Sequence, residues 1–253
     1  MDKLDHLKDK LLKRELVFGF IAQIQDAGVL PGYKKEGIDF VLFDLEHGSS
    51  NGEQISAQLH VCRNLDIPSI VRTQDAIYHL IAKLIDMGAD GIMLPRVESA
   101  EQVTTAIGAM RFAPVGRKGY GGSHQFRPDE TFEAFQKNRL LILQIESPAG
   151  VENLPAILQA YGDQIAGIVI GPYDMSMQVG TPMDIDSPQA IEQIRKTIEI
   201  CQASQVSVGI YCGNMAIAKR WHDEGMNILW ISSDMDLLNQ GVNTVLMELA
   251  DMR

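Results

Sequence analysis

The 253-residue sequence predicts one (β/α)8 TIM barrel, an α/β fold spanning residues 1–253 as a single domain. Three observations predict it. Short apolar runs recur at a regular beat, each apolar throughout, as strands buried on both faces of a parallel sheet are. Segments of helical periodicity separate the runs. Polar residues then stand at the ends of the runs, as in Phe40-Val41-Leu42-Phe43 before Asp44-Leu45-Glu46-His47-Gly48, Ser69-Ile70-Val71 before Arg72, and Leu141-Ile142-Leu143 before Gln144-Ile145-Glu146. In a parallel barrel those ends meet at one face, where such folds keep their chemistry. Eight βα units fit a closed barrel of roughly 250 residues. A doubly wound open sheet usually carries a Gly-rich turn after its first strand; here that strand runs into Ala22-Gln23-Ile24-Gln25-Asp26.

In chain order, Lys3, Lys8, Lys10, Lys13 and Arg14 alternate with Asp2, Asp5 and Asp9 in a charged N-terminal helix. Strands are expected at 16–22, 39–46, 68–73, 91–97, 140–147, 165–171, 207–212 and 228–233. Helices are expected at 54–64, 76–87, 100–110, 153–161, 188–204, 215–224 and 236–252. Ser99 before Ala100-Glu101-Gln102 and Ser187-Pro188 before Gln189 are start signals. Gly88, Gly162 and Gly225 are stop signals. Residues 111–138 break the beat with Pro114, Gly116, Arg117, Lys118, Gly119, Gly121, Gly122, His124 and Pro128. A Gly-rich connection of that length after the fourth strand is expected to be a lid or substrate-binding loop at the active face.

The composition is 45% apolar and 22% charged, ordinary for a globular protein, and the net charge is −11. With no basic stripe, nucleic acid is excluded as a partner. No apolar run reaches the ~18 residues of a membrane span, and no apolar core follows the charged N-terminus as a targeting signal would need. Cys62, Cys201 and Cys212 have neither metal nor disulfide spacing, so they are expected to be buried free thiols of a cytoplasmic protein.

Glu146 and Asp174 close the fifth and sixth strands about one βα unit apart, so they stand side by side at one rim. Neighbouring carboxylates in a partly buried site repel unless a proton or a cation sits between them. A divalent metal with oxygen ligands, Mg2+ or Mn2+ with Co2+ as a further candidate, fits such a pair. The alternative is that each carboxylate caps a helix or pairs with an arginine. His47 suits a general base, the alternative being a loop histidine bonded to backbone. Alternation puts Asp44 and Glu46 on one side of their strand, placed to orient His47, to bind metal-bound water or to bond along the rim. Arg72 suits a carboxylate or an enolate oxygen, or a buried pair with Asp44 or Glu46, and the two are compatible. Gln144 points into the same mouth as Glu146. Arg96 is expected to face outward, and His124 to reach substrate from the long loop. No lysine ends a strand at the mouth, which argues against Schiff-base chemistry.

Taken in order, Phe43-Asp44-Leu45-Glu46-His47-Gly48, Val71-Arg72, Met93-Leu94-Pro95, Gln144-Ile145-Glu146-Ser147 and Ile170-Gly171-Pro172-Tyr173-Asp174-Met175-Ser176 resemble the metal-dependent pyruvate aldolases of the HpcH/HpaI family. That family includes 2,4-dihydroxyhept-2-ene-1,7-dioate, 2-dehydro-3-deoxyglucarate and 2-keto-3-deoxyrhamnonate aldolases. The stretch Arg111-Phe112-Ala113-Pro114-Val115-Gly116-Arg117-Lys118-Gly119 is similar to the family's Arg-Tyr-Pro-Pro-x-Gly-x-Arg-Gly loop. The resemblance implies reversible aldol cleavage of a 4-hydroxy-2-oxo acid to pyruvate and an aldehyde through a pyruvate enolate. It implies that Glu146 and Asp174 hold the metal and that Arg72 binds the keto oxygen. His47 is then the acid/base, Gln144 positions pyruvate, and the backbone at Ser147–Gly150 and Gly171, Pro172 and Tyr173 receives the carboxylate. Asp86 would assist His47 across an interface, from a neighbouring subunit. Tyr173 departs from the family's small residue, and Lys118 from its usual arginine. Both concern the aldehyde side.

Two rival readings keep the barrel. A citrate lyase β-like or citrate-forming enzyme would use the same enolate chemistry on oxaloacetate or acyl-CoA, with Arg117, Lys118 and His124 on the extra anion. A non-catalytic barrel would only bind a keto acid. Leu237, Leu238, Val242, Val245, Leu246 and Leu249 have helical spacing in the C-terminal segment. With the family's habit, they imply a homo-oligomer, a trimer or hexamer, in which that helix packs on a neighbour.

Overall fold

A computed structural model describes residues 2–122, 124–250 and 252. The elements run α1 (Lys3–Lys13), β1 (Val17–Ala22), a 3-10 segment (Ala27–Tyr33), β2 (Phe40–Asp44), α2 (Gly52–Leu65), β3 (Ser69–Arg72), α3 (Tyr78–Met87), β4 (Gly91–Leu94), α4 (Ala100–Met110) and α5 (Phe132–Asn138). They continue as β5 (Leu140–Ile145), α6 (Pro148–Tyr161), β6 (Gly167–Ile170), α7 (Pro172–Gln178), α8 (Pro188–Ala203), β7 (Val208–Cys212), α9 (Met215–Asp223), β8 (Ile228–Ser233) and α10 (Asp234–Ala250). The eight strands close a barrel in sequence order. Every pairing is parallel, including β1 with β8. This is the predicted barrel, with every expected strand present. Several strands end one to three residues early, because the polar residues beyond them turn out into the mouth.

Two apolar cores hold it. Ile21, Leu42, Ile70, Met93, Ile142, Val169, Ile228 and Trp230 fill the barrel interior. The larger cluster, with Phe43, Val71, Ile92, Leu143, Ile168 and Ile210, lies between strands and helices. Strand side chains alternate between these two cores, so strands that look uniformly apolar serve both. Gly19 is needed where it stands, since a Cβ there would run into the Phe40 ring. The charged N-terminal helix has an apolar stripe: Leu4, Leu7 and Leu11 of α1 are buried with the interior cluster and plug the barrel floor. Asp2 caps it by accepting from Asp5 N–H at 2.8 Å.

Two helices were not legible from periodicity. α5 and α7 have seven residues each, too few for a 3.6-residue repeat to show. The Gly-rich stretch corrects an expectation. α4 follows β4, and the stretch then connects α4 to α5 and β5, so it lies at the N-terminal face and is no lid over its own mouth. Lys118, with a side chain 0% exposed, pairs with Asp86 on α3 and bonds Gln125 at 3.0 Å. Arg117 stacks on Tyr78, 5.1 Å from the ring centre. His124 packs on His60 at 4.0 Å between rings. None of the three reaches the mouth of its own chain. Cys62, Cys201 and Cys212 are buried free thiols, as expected. No helix among the described residues is long and apolar enough to cross a membrane.

α10 is anchored only at its start. The Asp234 carboxylate accepts from Gln23 N–H at 2.9 Å, Ile24 N–H at 3.1 Å and the Tyr33 hydroxyl at 2.7 Å. Beyond that turn the helix is exposed, including Leu237, Leu238, Val242, Val245, Leu246 and Leu249.

Candidate active site

The C-terminal ends of the strands enclose a cavity of about 250 Å3. Ile21, His47, Arg72, Gln144, Gly171, Pro172, Tyr173, Asp174, Tyr211 and Trp230 line it. The register explains the arrangement, since Asp44 pairs with Arg72 across β2 and β3 and Gln144 with Val169 across β5 and β6. Strands β2 and β3 therefore deliver Asp44 and Arg72 at one level, while Gln144 stands above the apolar floor that Val169 helps to form.

Arg72 is the hub. Its Nε donates to Asp44 Oδ1 at 2.9 Å and its Nη2 to Asp44 Oδ2 at 2.6 Å. Its Nη1 donates to Gln144 Oε1 at 3.3 Å and stands 3.1 Å from Glu46 Oε2. The guanidinium also lies over the Trp230 ring, 5.5 Å from its centre. A guanidinium has five N–H groups; three donate hydrogen bonds among the described residues, and Nη1 also faces Glu46. Both sequence readings of Arg72, buried pair and cavity cation, are compatible with this geometry. Burial works against Asp44's charge, yet the Arg72 fork holds its carboxyl below the usual range.

Gln144 relays the network, since its Nε2 donates to Glu146 Oε2. The other oxygen, Oε1, accepts from the Arg96 backbone N–H at 2.9 Å. Glu146 is 4% exposed. Gly171 makes room for it, because a Cβ there would run into Glu146 Oε2. Burial, then the charges of Asp174 and Glu46, push the Glu146 carboxyl up to about 7. Asp174, in the first turn of α7, is exposed, and its carboxylate accepts no hydrogen bond among the described residues. Glu46 is raised too, by burial first, and its buried Oε2 has no hydrogen-bond donor.

These observations fit a hard divalent cation. The charges of Asp174 and Glu46 both press on Glu146, and the donors of that carboxylate pair are oxygens. Among the described residues no three His, Cys, Asp or Glu side chains form a ready-made cage. Two carboxylates, with substrate and water completing the shell, is the usual manner of Mg2+.

His47 is 64% exposed, with Nε2 3.8 Å from Glu46 Oε2. Ser147 reaches the rim, but its hydroxyl caps α6 by accepting from Gly150 N–H at 3.1 Å and donates to Glu98. Asp86 lies in the last turn of α3, at the opposite end of the barrel from His47. A role beside a histidine would therefore need a second copy.

Arg96 corrects another expectation. It adopts a left-handed backbone, φ 50°, which brings its N–H to Glu146. Its Nη1 stands 3.1 Å from Glu46 Oε1, and Nη2 donates to Gln74 O at 2.6 Å. Sequence reasoning also missed Ile21, Tyr211 and Trp230. Tyr211 and Trp230 meet edge to face, 5.2 Å apart, and Tyr173 lies 6.2 Å from Tyr211. Alternation along β7 and β8 turns both residues inward, a signal the sequence did carry.

A family model described as HpcH/HpaI aldolase/citrate lyase matches residues 22–240. A hydroxypyruvate/pyruvate aldolase of Chromohalobacter salexigens is 32% identical over 224 residues, 85% of this chain and 87% of the relative. A 2-keto-3-deoxy-L-rhamnonate aldolase of Salmonella typhi is 27% identical over 242 residues, 94% and 90% of the two chains. The solved structure of an HpcH/HpaI aldolase/citrate lyase family protein from Burkholderia cenocepacia superposes with a TM-score of 0.87. It is 23% identical and covers 97% of this chain and 99% of its own; that likeness concerns the fold.

Proposed function

The chain belongs to the HpcH/HpaI aldolase/citrate lyase family, and on that premise we propose how its mouth cleaves a 4-hydroxy-2-oxo acid to pyruvate and an aldehyde. It is a carbon–carbon lyase of the class II pyruvate aldolase type. The observation that carries the residue assignment is the bonded line Asp44–Arg72–Gln144–Glu146, which leads to the free carboxylate of Asp174.

Glu146 and Asp174 would hold Mg2+ or Mn2+, which supplies Lewis-acid polarisation of the 2-oxo group. Arg72, fixed by Asp44, directs its remaining N–H at the keto oxygen. The guanidinium stabilises the charge that grows there as the C3–C4 bond breaks. Gln144 holds Arg72 and Glu146 at constant spacing. His47 takes the C4 hydroxyl proton through water. The C3–C4 electron pair passes into the pyruvate enolate, the aldehyde leaves, and protonation at C3 releases pyruvate. The turn Gly171–Tyr173 and the backbone entering α6 at Ser147 receive the carboxylate.

The same reading makes the protein a cytoplasmic homo-oligomer, trimer or hexamer. The bare apolar face of α10 is then covered by a neighbouring copy, and Asp86 is carried to a neighbour's His47.

The test is pyruvate release from a panel of 4-hydroxy-2-oxo acids after chelator treatment, with and without added Mg2+ or Mn2+. Metal-dependent release that is lost in Glu146→Ala and Arg72→Ala is the expected result. Release that ignores the chelator, or survives both substitutions, overturns the assignment.

A further inference from the structure

On the face opposite the mouth lies a cavity of about 220 Å3, where α1, α5 and the entrances to β5 and β6 meet. Lys8, Arg111, Lys137 and Arg139 line it, and Asp163 is the one carboxylate in its wall among the described residues. Strand β5 runs from here to Glu146, a separation of ~20 Å at about 3.3 Å per residue. The aldol chemistry therefore uses none of these groups.

The four cations are not equally satisfied. Arg139 is matched by buried Glu130, at 2.8 and 2.7 Å. Lys137 meets Glu133 at 2.7 Å in an exposed pair one helical turn apart, an arrangement that holds weakly. Among the described residues Lys8 donates only to neutral acceptors, the carbonyl of Lys137 at 2.8 Å and Asn138 Oδ1 at 3.0 Å. Arg111 is the anomaly. It is 4% exposed, it has no carboxylate partner among the described residues, and its Nη2 donates to the carbonyl of Arg139. Its Nε and Nη1 have no acceptor. A buried charge left in this condition is costly and is normally paired. Burial and the nearby Arg139 push Arg111 down to about 10. Burial, with Arg111 and Lys137 adding to it, also lowers Lys8 against the pull of Asp5.

We propose that this cavity binds a small oxyanion, a phosphate monoester or a short carboxylic acid, through Arg111 and Lys8. The Arg111 charge stands in the wall without a carboxylate partner among the described residues, and in a partly desolvated cavity it attracts an oxyanion of either group. Leu12 and Ile165 in the same wall suit a short apolar remainder. At about 30 Å3 per water, the space holds about seven water-sized groups, room for a phosphate or most of a short acid and too little for a nucleotide. A ligand here binds without competing with substrate at the mouth.

Calorimetric titration at constant ionic strength, with inorganic phosphate in one arm and succinate in the other, tests the site. The expected result is saturable binding of at least one probe, weakened about tenfold or more in Lys8→Ala, as loss of a charge-assisted contact implies, and abolished in Arg111→Gln. Lys8 is partly exposed, so Lys8→Ala keeps the test decisive if Arg111→Gln does not fold. Binding of phosphate alone points to a phosphate ester, and binding of succinate alone to a carboxylic acid. No saturable binding in either arm, or equal affinity in Lys8→Ala, overturns the proposal.

Discussion

The two halves of the mouth are built on different principles. From β2 to β6 the rim carries Asp44, Glu46, Arg72, Arg96, Gln144 and Glu146, and most are bonded to the next at short distance. From β7 round to β1 it carries Tyr211, Trp230 and Ile21, with Tyr173 at the seam; Tyr173, Tyr211 and Trp230 pack ring to ring, and Trp230 also underlies the Arg72 guanidinium. A polar network in a buried site is all-or-nothing, because deleting one member strands its partners. A packed aromatic wall yields by degrees. On the proposed reading, charge is handled in the first half and the shape of the second substrate is read in the other.

The largest expected effect lies in the polar half. Glu146→Ala removes an inferred metal ligand and leaves Gln144 Nε2 and the Arg96 N–H without their acceptor. Metal polarisation contributes several kcal/mol, so kcat for pyruvate release should fall by about 10^3-fold or more. Steady-state kinetics at saturating metal will check it. A loss under tenfold would remove Glu146 from the metal site.

Gln144→Ala comes next. It keeps both inferred ligands and cuts the bonds that hold Glu146 and Arg72 in line. Outer partners of metal ligands typically contribute about 10–100-fold in metal affinity or activity. Metal titration followed by calorimetry separates this positioning role from a contact with substrate, which would raise KM for the oxo acid and leave metal affinity alone.

How much of this was legible in the sequence follows the same division. Arg72, Gln144, Glu146 and Asp174 were readable because a charge or amide at the end of an apolar run has few bland explanations. The barrel was readable because its strands are uniformly apolar. Arg96 was lost because its inward role depends on one left-handed residue at φ 50°, which no periodicity encodes. Tyr211 and Trp230 were lost for the opposite reason: an aromatic residue in a strand looks like core, and Trp230 is indeed part of the interior cluster. The Gly-rich stretch was placed at the wrong end because its composition suits a lid, while position after α4, not composition, decides which face a loop serves.

Metal binding should also depend on pH, with a sign fixed by Glu146. Its carboxyl is raised to about 7, by burial first and then by Asp174 and Glu46. In the metal-free protein this group favours folding at low pH, and that contribution is lost as pH rises from its ordinary value through about 7. A metal must displace the proton. Metal affinity should therefore weaken by about tenfold per pH unit below 7 and level off above it. Because the Gln144 amide favours the charged form, Gln144→Ala should move that midpoint upward. An affinity flat from pH 5.5 to 8 would show that Glu146 does not ligate as a carboxylate.

The smallest effect is expected in the aromatic half, and it is the one that separates the halves. Tyr173 lines the cavity one residue before Asp174, and its ring faces Tyr211 across 6.2 Å. Tyr173→Ala leaves the bonds of Glu146 and Arg72 in place and opens the wall on the side proposed for the aldehyde. In a packed pocket one added or missing methylene is worth about 1–3 kcal/mol. The preference for long over short aldehydes in the condensation direction should therefore shift by about tenfold, with KM for pyruvate and metal affinity unchanged. Competition between a two-carbon and a six-carbon aldehyde at fixed pyruvate measures that ratio directly. If kcat falls for both aldehydes alike, Tyr173 belongs with the charged half and the division proposed here fails at its seam. If only the ratio moves, the wall sets selection while the carboxylates and Arg72 set the rate.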